Sequence, residues 1–520
     1  MNVRMLLLWL CACLAWTGGG LLLVDPAGAG AVASASKDEI PSKLRSDLLS
    51  RYEKDRQGAV KKLAAIGTEE AWELVIGALQ DAKGQVADEA QLQLASDACP
   101  DKVWQSLFGA EGLGSRDEWV ALRAAEILGM RRGPVDAQPL MGCLSKKRPL
   151  LAQAALQSIE RLQARGALDF GKNPDKQQAR AAKAVASLVG AGPELSAQAI
   201  VTLAELDAES ASKVARQASR SKEPLERAAA LCARWRIEDA GALQWAIEWS
   251  ADPDAGVRGV AARTLEAIGT KPALLALIAR LDVEPREKLL LELVPRLQRM
   301  TGFKAGRQGS AWAAYAQDLP DDWRAQPSTS SEAQKEAAEG ESMVQGAGLP
   351  TFSDRIVYLF DFSGSIWNEV RDGKTRKQLL DPVFHQTLDA LKPATRFNLG
   401  PYTASVKPWQ ERLTDADERR VKDAHRFIED IKITGPGDFY AAVQWAKTDP
   451  EVDTICVLTD GAPSGGRRWN MEAMAQRLID ENRLRPIRYD VVLVDCPKGL
   501  ARHWRYLAES TGGVVQTLEF

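Results

Sequence analysis

The sequence predicts a chain of two unlike halves, an all-α superhelical first part and a C-terminal α/β part built on a doubly wound, mostly parallel sheet. Three observations carry this. Between about residues 41 and 320, apolar residues recur at three- and four-residue spacings, as in Val60, Leu63, Ala64 and Ile66, then Trp72, Val75, Ile76 and Leu79; this is the period of helices with one buried face. From about residue 350 the pattern changes to short unbroken apolar runs, such as 356–360 and 455–458, alternating with helical stretches, as expected of strands buried on both faces between crossover helices. Between the two, residues 326–348 are rich in Ser, Ala, Glu and Gly with almost no large apolar side chain, so they bury too little to offset their ordering entropy and read as a flexible linker tethering the halves.

Helix, glycine turn, helix is the unit of the first half, and it has an internal echo: Leu63-Ala64-Ala65-Ile66-Gly67-Thr68 returns as Leu265-Glu266-Ala267-Ile268-Gly269-Thr270. Stacked units of this kind resemble HEAT-type repeats, in which each helix pair buries its apolar face only against its neighbours; a non-repetitive helical bundle is the alternative. Basic residues along these helices alternate with Asp and Glu, the pattern of a solvated face. Gly109-Ala110-Glu111-Gly112-Leu113-Gly114 follows no strand, so it reads as a loop and not as a nucleotide-binding turn.

Composition narrows the function. The 520 residues are 45% apolar and 26% charged with a net charge of −3, which is ordinary for a globular chain and provides no field for nucleic acid. Residues 1–35 stand apart: Arg4 precedes an apolar stretch from Met5 to Val24, followed by Ala27-Gly28-Ala29 and Ala33-Ser34-Ala35. This reads as an export signal, cleaved or retained as a membrane anchor, with Leu10-Cys11-Ala12-Cys13 as a weaker lipoprotein-like box. The expected location is extracytoplasmic: periplasmic, secreted or anchored at the cell surface. Cys99, Cys143, Cys232, Cys456 and Cys496 are odd in number and widely spaced, so they read as free thiols.

In the α/β half (350–520) the pattern places strands at 355–360, 396–402, 406–409, 453–459, 488–494 and 514–518, and helices at 374–391, 416–431, 439–447, 471–483 and 501–510. The first strand stops at Asp361, followed by Ser363 and Ser365. In open α/β sheets the ligand crevice lies beyond the carboxyl ends of the strands, so these oxygens face it.

The pattern Asp361-x-Ser363-x-Ser365, together with Asp460-Gly461 at the end of a second buried strand, resembles the metal-ion-dependent adhesion site of von Willebrand factor type A domains. The resemblance implies a bound Mg²⁺, or Mn²⁺ or Ca²⁺. Ser363 and Ser365 would coordinate directly, with Asp361 and Asp460 holding waters, and an antiparallel edge strand would lie near Val406. It also implies a protein partner that contributes an acidic residue to the metal. The family's third loop places a Thr where this chain has Gly437, in Thr434-Gly435-Pro436-Gly437-Asp438. Asp438 or Thr434 would then bring the missing oxygen, or Asp438 would simply cap the next helix.

The expected function is an exported, non-catalytic interaction or adhesion protein. The alternatives are a regulatory or recruiting subunit of an envelope enzyme or ATP-driven assembly, and a metal-dependent hydrolase. His385, His425 and His503 lie on separate predicted helices, which argues against a histidine-based triad or a zinc hydrolase, and Gly461-Ala462-Pro463-Ser464-Gly465 misses the nucleophile elbow by one residue. The basic loop Arg467-Arg468-Trp469 either contacts a partner or is solvated.

Overall fold

The structure, a computed structural model, describes residues 40–325 and 353–520. The expected export segment (1–35) and linker (326–348) lie outside the described residues. Among the described residues, no helix is long and apolar enough to cross a membrane.

In the first half, eight long helices pack each against the next in one row: α1 (Glu53–Ile66), α2 (Gly84–Ala95), α3 (Glu118–Met130), α4 (Pro149–Ala164), α5 (Pro193–Leu206), α6 (Pro224–Arg236), α7 (Ala255–Ile268) and α8 (Glu287–Thr301). Other helices, most of them shorter, alternate with them along the chain. The starts of α5, α6 and α7, at 193, 224 and 255, are 31 residues apart, the regularity of an α-solenoid. The echoed phrase is a stop followed by a start. Gly67 and Gly269 end α1 and α7 with φ of +77° and +64°, a region open to glycine, and the hydroxyls of Thr68 and Thr270 accept from the N–H of Ala71 and Ala273 to open the next helices.

The second half is a three-layer α/β/α sandwich. Its sheet contains β1 (Arg355–Asp361), β2 (Arg396–Tyr402), β3 (Thr414–Asp415), β4 (Thr454–Thr459), β5 (Arg488–Val494) and β6 (Val515–Leu518) in the order β6-β5-β4-β1-β2-β3. All pairings are parallel except β2 with β3. One face, through Val357, Leu359, Val457 and Val491, packs on α11 (Phe439–Lys447), α12 (Met471–Glu481) and α13 (Lys498–Ser510). The other, through Tyr358, Phe360, Leu399 and Leu458, packs on α9 (Arg376–Asp389) and α10 (Glu418–Asp430).

One expected strand does not form. Residues 406–409 make only a bridge between Val406 and Tyr402, and the antiparallel edge is instead Thr414–Asp415. Lys407 and Trp409 donate to the carbonyls of Pro401 and Leu399, but Pro408 and Pro401 have no N–H to complete a ladder.

The two halves are packed together, and the contact is made of charges that the sequence pattern assigns to solvent. Asp88 on α2 accepts from the backbone N–H groups of Trp469 (2.6 Å) and Asn470 (2.7 Å) at the start of α12, where a carboxylate complements the helix dipole. Its other oxygen takes Arg123 of α3, which also donates to the Arg467 carbonyl. Glu126 receives Arg468 through two hydrogen bonds (2.7 and 2.6 Å) and Arg477 through a third. Glu160 on α4 receives Arg483 (2.6 and 3.1 Å) and Arg236 (2.6 Å). Further along the row, Lys288 Nζ donates to the Pro486 carbonyl at 3.0 Å, and Leu484 packs into the solenoid's own apolar core. Arg468 and Glu126 are each 6% exposed, so this arginine of the basic loop is neither solvated nor free for an outside partner. Its partner is the solenoid.

Gly84, at the start of α2, sets how closely this loop approaches. Its N–H donates to the Gly466 carbonyl at 3.0 Å, and a Cβ there would fall 2.8 Å from both the Arg467 carbonyl carbon and the Gly466 oxygen. Gly84→Ala is therefore expected to cost about 1–3 kcal/mol in urea unfolding through the strain of overpacking. Gly58→Ala, inside α1 where nothing lies within 4 Å, should instead stabilise by about 0.5–1 kcal/mol.

Candidate functional site

β1 lies at the centre of the sheet between β4 and β2, with Phe360 opposite Leu458 and Asp361 opposite Tyr402. Asp361 thus leaves the sheet at its carboxyl edge beside Thr459 and Asp460. Its side chain is fixed on both oxygens: Oδ1 accepts from the Ser363 N–H at 2.9 Å and Oδ2 from the Thr459 hydroxyl at 2.8 Å. The Ser363 and Ser365 hydroxyl oxygens are 3.1 Å apart. The Gly364 N–H donates to the Gly435 carbonyl at 3.2 Å, which holds the third loop over this turn.

Gly437 closes the site from that loop. A Cβ at this position would lie 3.1 Å from Asp361 Oδ1 and 3.5 Å from Ser363 Cβ, so a side chain here would point into the cluster. Without one, the backbone itself borders the carboxylate. The loop is latched to the segment after Asp460: Gly437 N–H donates to the Ser464 hydroxyl at 2.8 Å, and its carbonyl accepts from the N–H groups of Ser464 and Gly465 at 3.2 and 3.0 Å.

Of the expected oxygen donors, the structure brings Asp361, Ser363, Ser365 and Asp460 to one strand edge. Asp438 serves a different purpose. Its Oδ1 accepts from the Ala441 N–H at 3.0 Å as the cap of α11, and the carboxylate lies against Gly466. Thr434 is exposed.

The electrostatics of Asp361 follow from its burial. Burial pushes its carboxyl up to about 6, and the like charge of Asp460 adds to the rise, while the hydrogen bonds from Ser363 and Thr459 oppose it. Asp438 is also raised by burial. Three supporting residues escape the motif pattern. Thr459 orients Asp361, and its signal is the hydroxyl directly before Asp460-Gly461. Ser464 ties Gly437, and Arg376 at the start of α9 donates to the Ser365 carbonyl at 3.1 Å. The last two have no sequence signal, because one arrives from a distant loop and the other from the first turn of a helix, and neither position marks its partner.

No family model matches the chain. Among curated proteins, von Willebrand factor A domain-containing protein 3B of Homo sapiens is 30% identical over 112 residues, covering 21% of this chain and 8% of that protein. The α/β half is von Willebrand factor A-like. Inter-alpha-trypsin inhibitor heavy chain H2 of Homo sapiens is 27% identical to the chain over 130 residues, 23% of this chain and 13% of that protein. The matched segment is thus a small part of either relative's length. Among solved structures, the VWA domain of SpRpn10 aligns with the chain at 15% identity and a TM-score of 0.25 over 32% of this chain and 87% of that one.

The donors of the A-like domain suit a hard divalent cation. Two hydroxyls in contact, a buried carboxylate already oriented by two hydrogen bonds and a second carboxylate close enough to raise its proton affinity form an all-oxygen set. Such ions take six or more oxygens and accept water for those the protein does not supply. Among the described residues, no group of three His, Cys, Asp or Glu side chains stands ready for a metal, so any site at this edge depends on the serine hydroxyls.

Proposed function

We propose that the chain is an exported, non-catalytic interaction protein whose A-like domain captures a protein partner through a Mg²⁺-type cation, with the α-solenoid as a rigid support. The observation that carries this reading is the constellation at the end of β1: Asp361 buried and oriented, with the Ser363 and Ser365 hydroxyls 3.1 Å apart beside it. In this reading Ser363 and Ser365 would ligate directly and Asp361 and Asp460 would hold water. Gly437, with no side chain, leaves a place that water fills, so Asp438 is not needed as a ligand and keeps its helix cap. The bound cation would supply an open coordination position for an Asp or Glu of the partner.

Calorimetric titration of the full chain with Mg²⁺, Mn²⁺ and Ca²⁺ tests the site. One ion per chain is expected, with binding lost in Ser363→Ala. Absence of binding by all three ions would remove the metal and leave a plain α/β interaction domain. Metal-dependent turnover of a substrate would instead support the hydrolase alternative.

A specific observation favours a second role, regulation or recruitment within a larger assembly. The segment 461–470 joins the two regions in one stretch: Ser464 holds Gly437 at the site, and four residues later Arg468 is buried against Glu126 of the solenoid. A ligand that strains the solenoid interface would act on the site through this loop.

A further inference from the structure

α9 and α10 carry the same short pattern at helical spacing, His385 with Asp389 on one and His425 with Glu429 on the other. Packed side by side, the two helices pair crosswise. His425 Nε2 lies 2.9 Å from Asp389 Oδ1, and His385 Nε2 lies 3.5 Å from Glu429 Oε1. The rings stack with centroids 4.7 Å apart at 23°, and their Nδ1 atoms meet. Each Nε2 thus faces a carboxylate, which only accepts hydrogen bonds, and the two Nδ1 atoms are left facing each other. Two Nδ1 atoms that face each other in this way can share one cation, a proton or a metal ion.

We propose that His385 and His425 form a two-imidazole site for a borderline transition-metal ion of the Zn²⁺ class, with both Nδ1 atoms as ligands and Asp389 and Glu429 orienting the rings from behind. A carboxylate on the far nitrogen is the usual support of a metal-binding histidine, fixing tautomer and ring orientation. Imidazole suits Zn²⁺, Cu²⁺ and Ni²⁺, whereas the oxygens at the strand edge suit Mg²⁺ or Ca²⁺, so the two sites select different ions. The imidazole side chains are 28% and 20% exposed, which allows an ion to enter and the rings to turn. Two Zn–N bonds of about 2.0–2.1 Å at a tetrahedral angle hold the nitrogens about 3.3 Å apart, so the rings swing outward on binding. Among the described residues, no third His, Cys, Asp or Glu completes a cluster here, and the remaining positions belong to water or to a ligand from outside the chain.

This inference is independent of the A-like site, and its test uses a different ion. Calorimetric titration of the full chain with Zn²⁺ is expected to show one ion per chain. His385→Ala and His425→Ala should each weaken binding at least tenfold. Asp389→Asn and Glu429→Gln should weaken it about tenfold or more, the usual effect of losing a supporting carboxylate. His503→Ala should leave it unchanged. The asparagine variants His385→Asn and His425→Asn, with circular dichroism, separate loss of the site from loss of the fold. In nitrogen-15 spectra, saturating Zn²⁺ should shift both Nδ1 signals and leave both Nε2 atoms protonated. The proposal is overturned if the wild type takes up no Zn²⁺, if uptake survives in the double histidine variant, or if a proton shared between the Nδ1 atoms persists at saturating Zn²⁺.

Discussion

Glu126→Ala is expected to lower the stability of the whole chain by about 3–5 kcal/mol, the cost of leaving buried charges without their partner. Glu126 sits on the solenoid, yet it is the shared acceptor for Arg468 and Arg477 of the A-like domain, with Gln91 donating to it at 2.8 Å. Removing it leaves the buried Arg468 guanidinium without its carboxylate and takes one of the two carboxylates from Arg477, which keeps Glu481. Glu126→Gln should do nearly as much harm, since it keeps the shape and removes only the charge. Arg468→Ala in the Glu126→Ala background should cost less than in the wild type, and the difference in a double-mutant cycle isolates the pair. The pH dependence has a defined sign. Burial alone would raise the Glu126 carboxyl, but Arg468 and Arg477 outweigh it and hold it down at about 2. Because its proton affinity is lower folded than unfolded, its stabilisation is complete above about pH 4.5 and is lost as pH falls toward 2. Glu160, held low by Arg483 and Arg236 against its burial, acts in the same direction. Acid titration followed by tryptophan fluorescence should show the two halves loosening together, and this coupling should be absent in Glu126→Ala.

This interface is the part of the fold that was illegible in the sequence, and the reason is physical. Arg468 and Glu126 are 342 residues apart, and neither interrupts a local pattern. On α3, Arg123 and Glu126 follow the alternation of charge expected of a wet helix face, and only their tertiary neighbour makes them buried. Basic residues near a loop end read equally well as a surface patch. The linker composition at 326–348 suggests independent bodies, whereas the hydrogen bonds of Asp88 from the Trp469 and Asn470 N–H groups and the ion pairs of Glu126 and Glu160 join the two halves. His385 and His425 looked unrelated for the same reason, being 40 residues apart on different helices. The repeated His-x-x-x-Asp/Glu spacing was the available clue.

The strands and the oxygen site were legible because their information is local. A strand buried on both faces must be apolar at every position, which marks 356–360 and 455–458 without any knowledge of their neighbours. Parallel topology then carries their ends to one edge, so Asp361 and Asp460 converge although they are far apart in the chain. The helix at 439–447 was also legible, since Asp438 caps it and its apolar positions Phe439, Ala442, Val443 and Ala446 follow the helical period. The failed strand at 406–409 marks where local pattern stops deciding structure. Its β-prone residues fit, but Pro408 and Pro401 remove the N–H groups that pairing requires, and this second condition depends on which residues face each other.

Asp361→Asn is expected to have two effects of opposite sign. In the absence of divalent cations the folded chain carries a buried negative charge that burial and Asp460 both disfavour, which is why its carboxyl is raised to about 6. The folded state therefore binds the proton more tightly than the unfolded state does. The contribution of this group is greatest below about pH 4 and is lost as pH rises through about 6. At about 1.36 kcal/mol per pH unit, the penalty at neutral pH is up to about 3 kcal/mol. Asparagine keeps an oxygen to accept from the Ser363 N–H and offers an amide N–H to the Thr459 oxygen, so both contacts survive without the charge. The metal-free variant should thus be about 1–3 kcal/mol more stable than wild type at pH 7.5 and no more stable at pH 4. Its Mg²⁺ response should be the reverse: wild type gains stability as the ion is added, by mass action, while Asp361→Asn gains none. Thermal unfolding at both pH values, with and without Mg²⁺, checks all four arms. A variant that is destabilised at pH 7.5 without metal would mean that the charge is already neutralised by the protein itself, and the need for a cation at this edge would disappear.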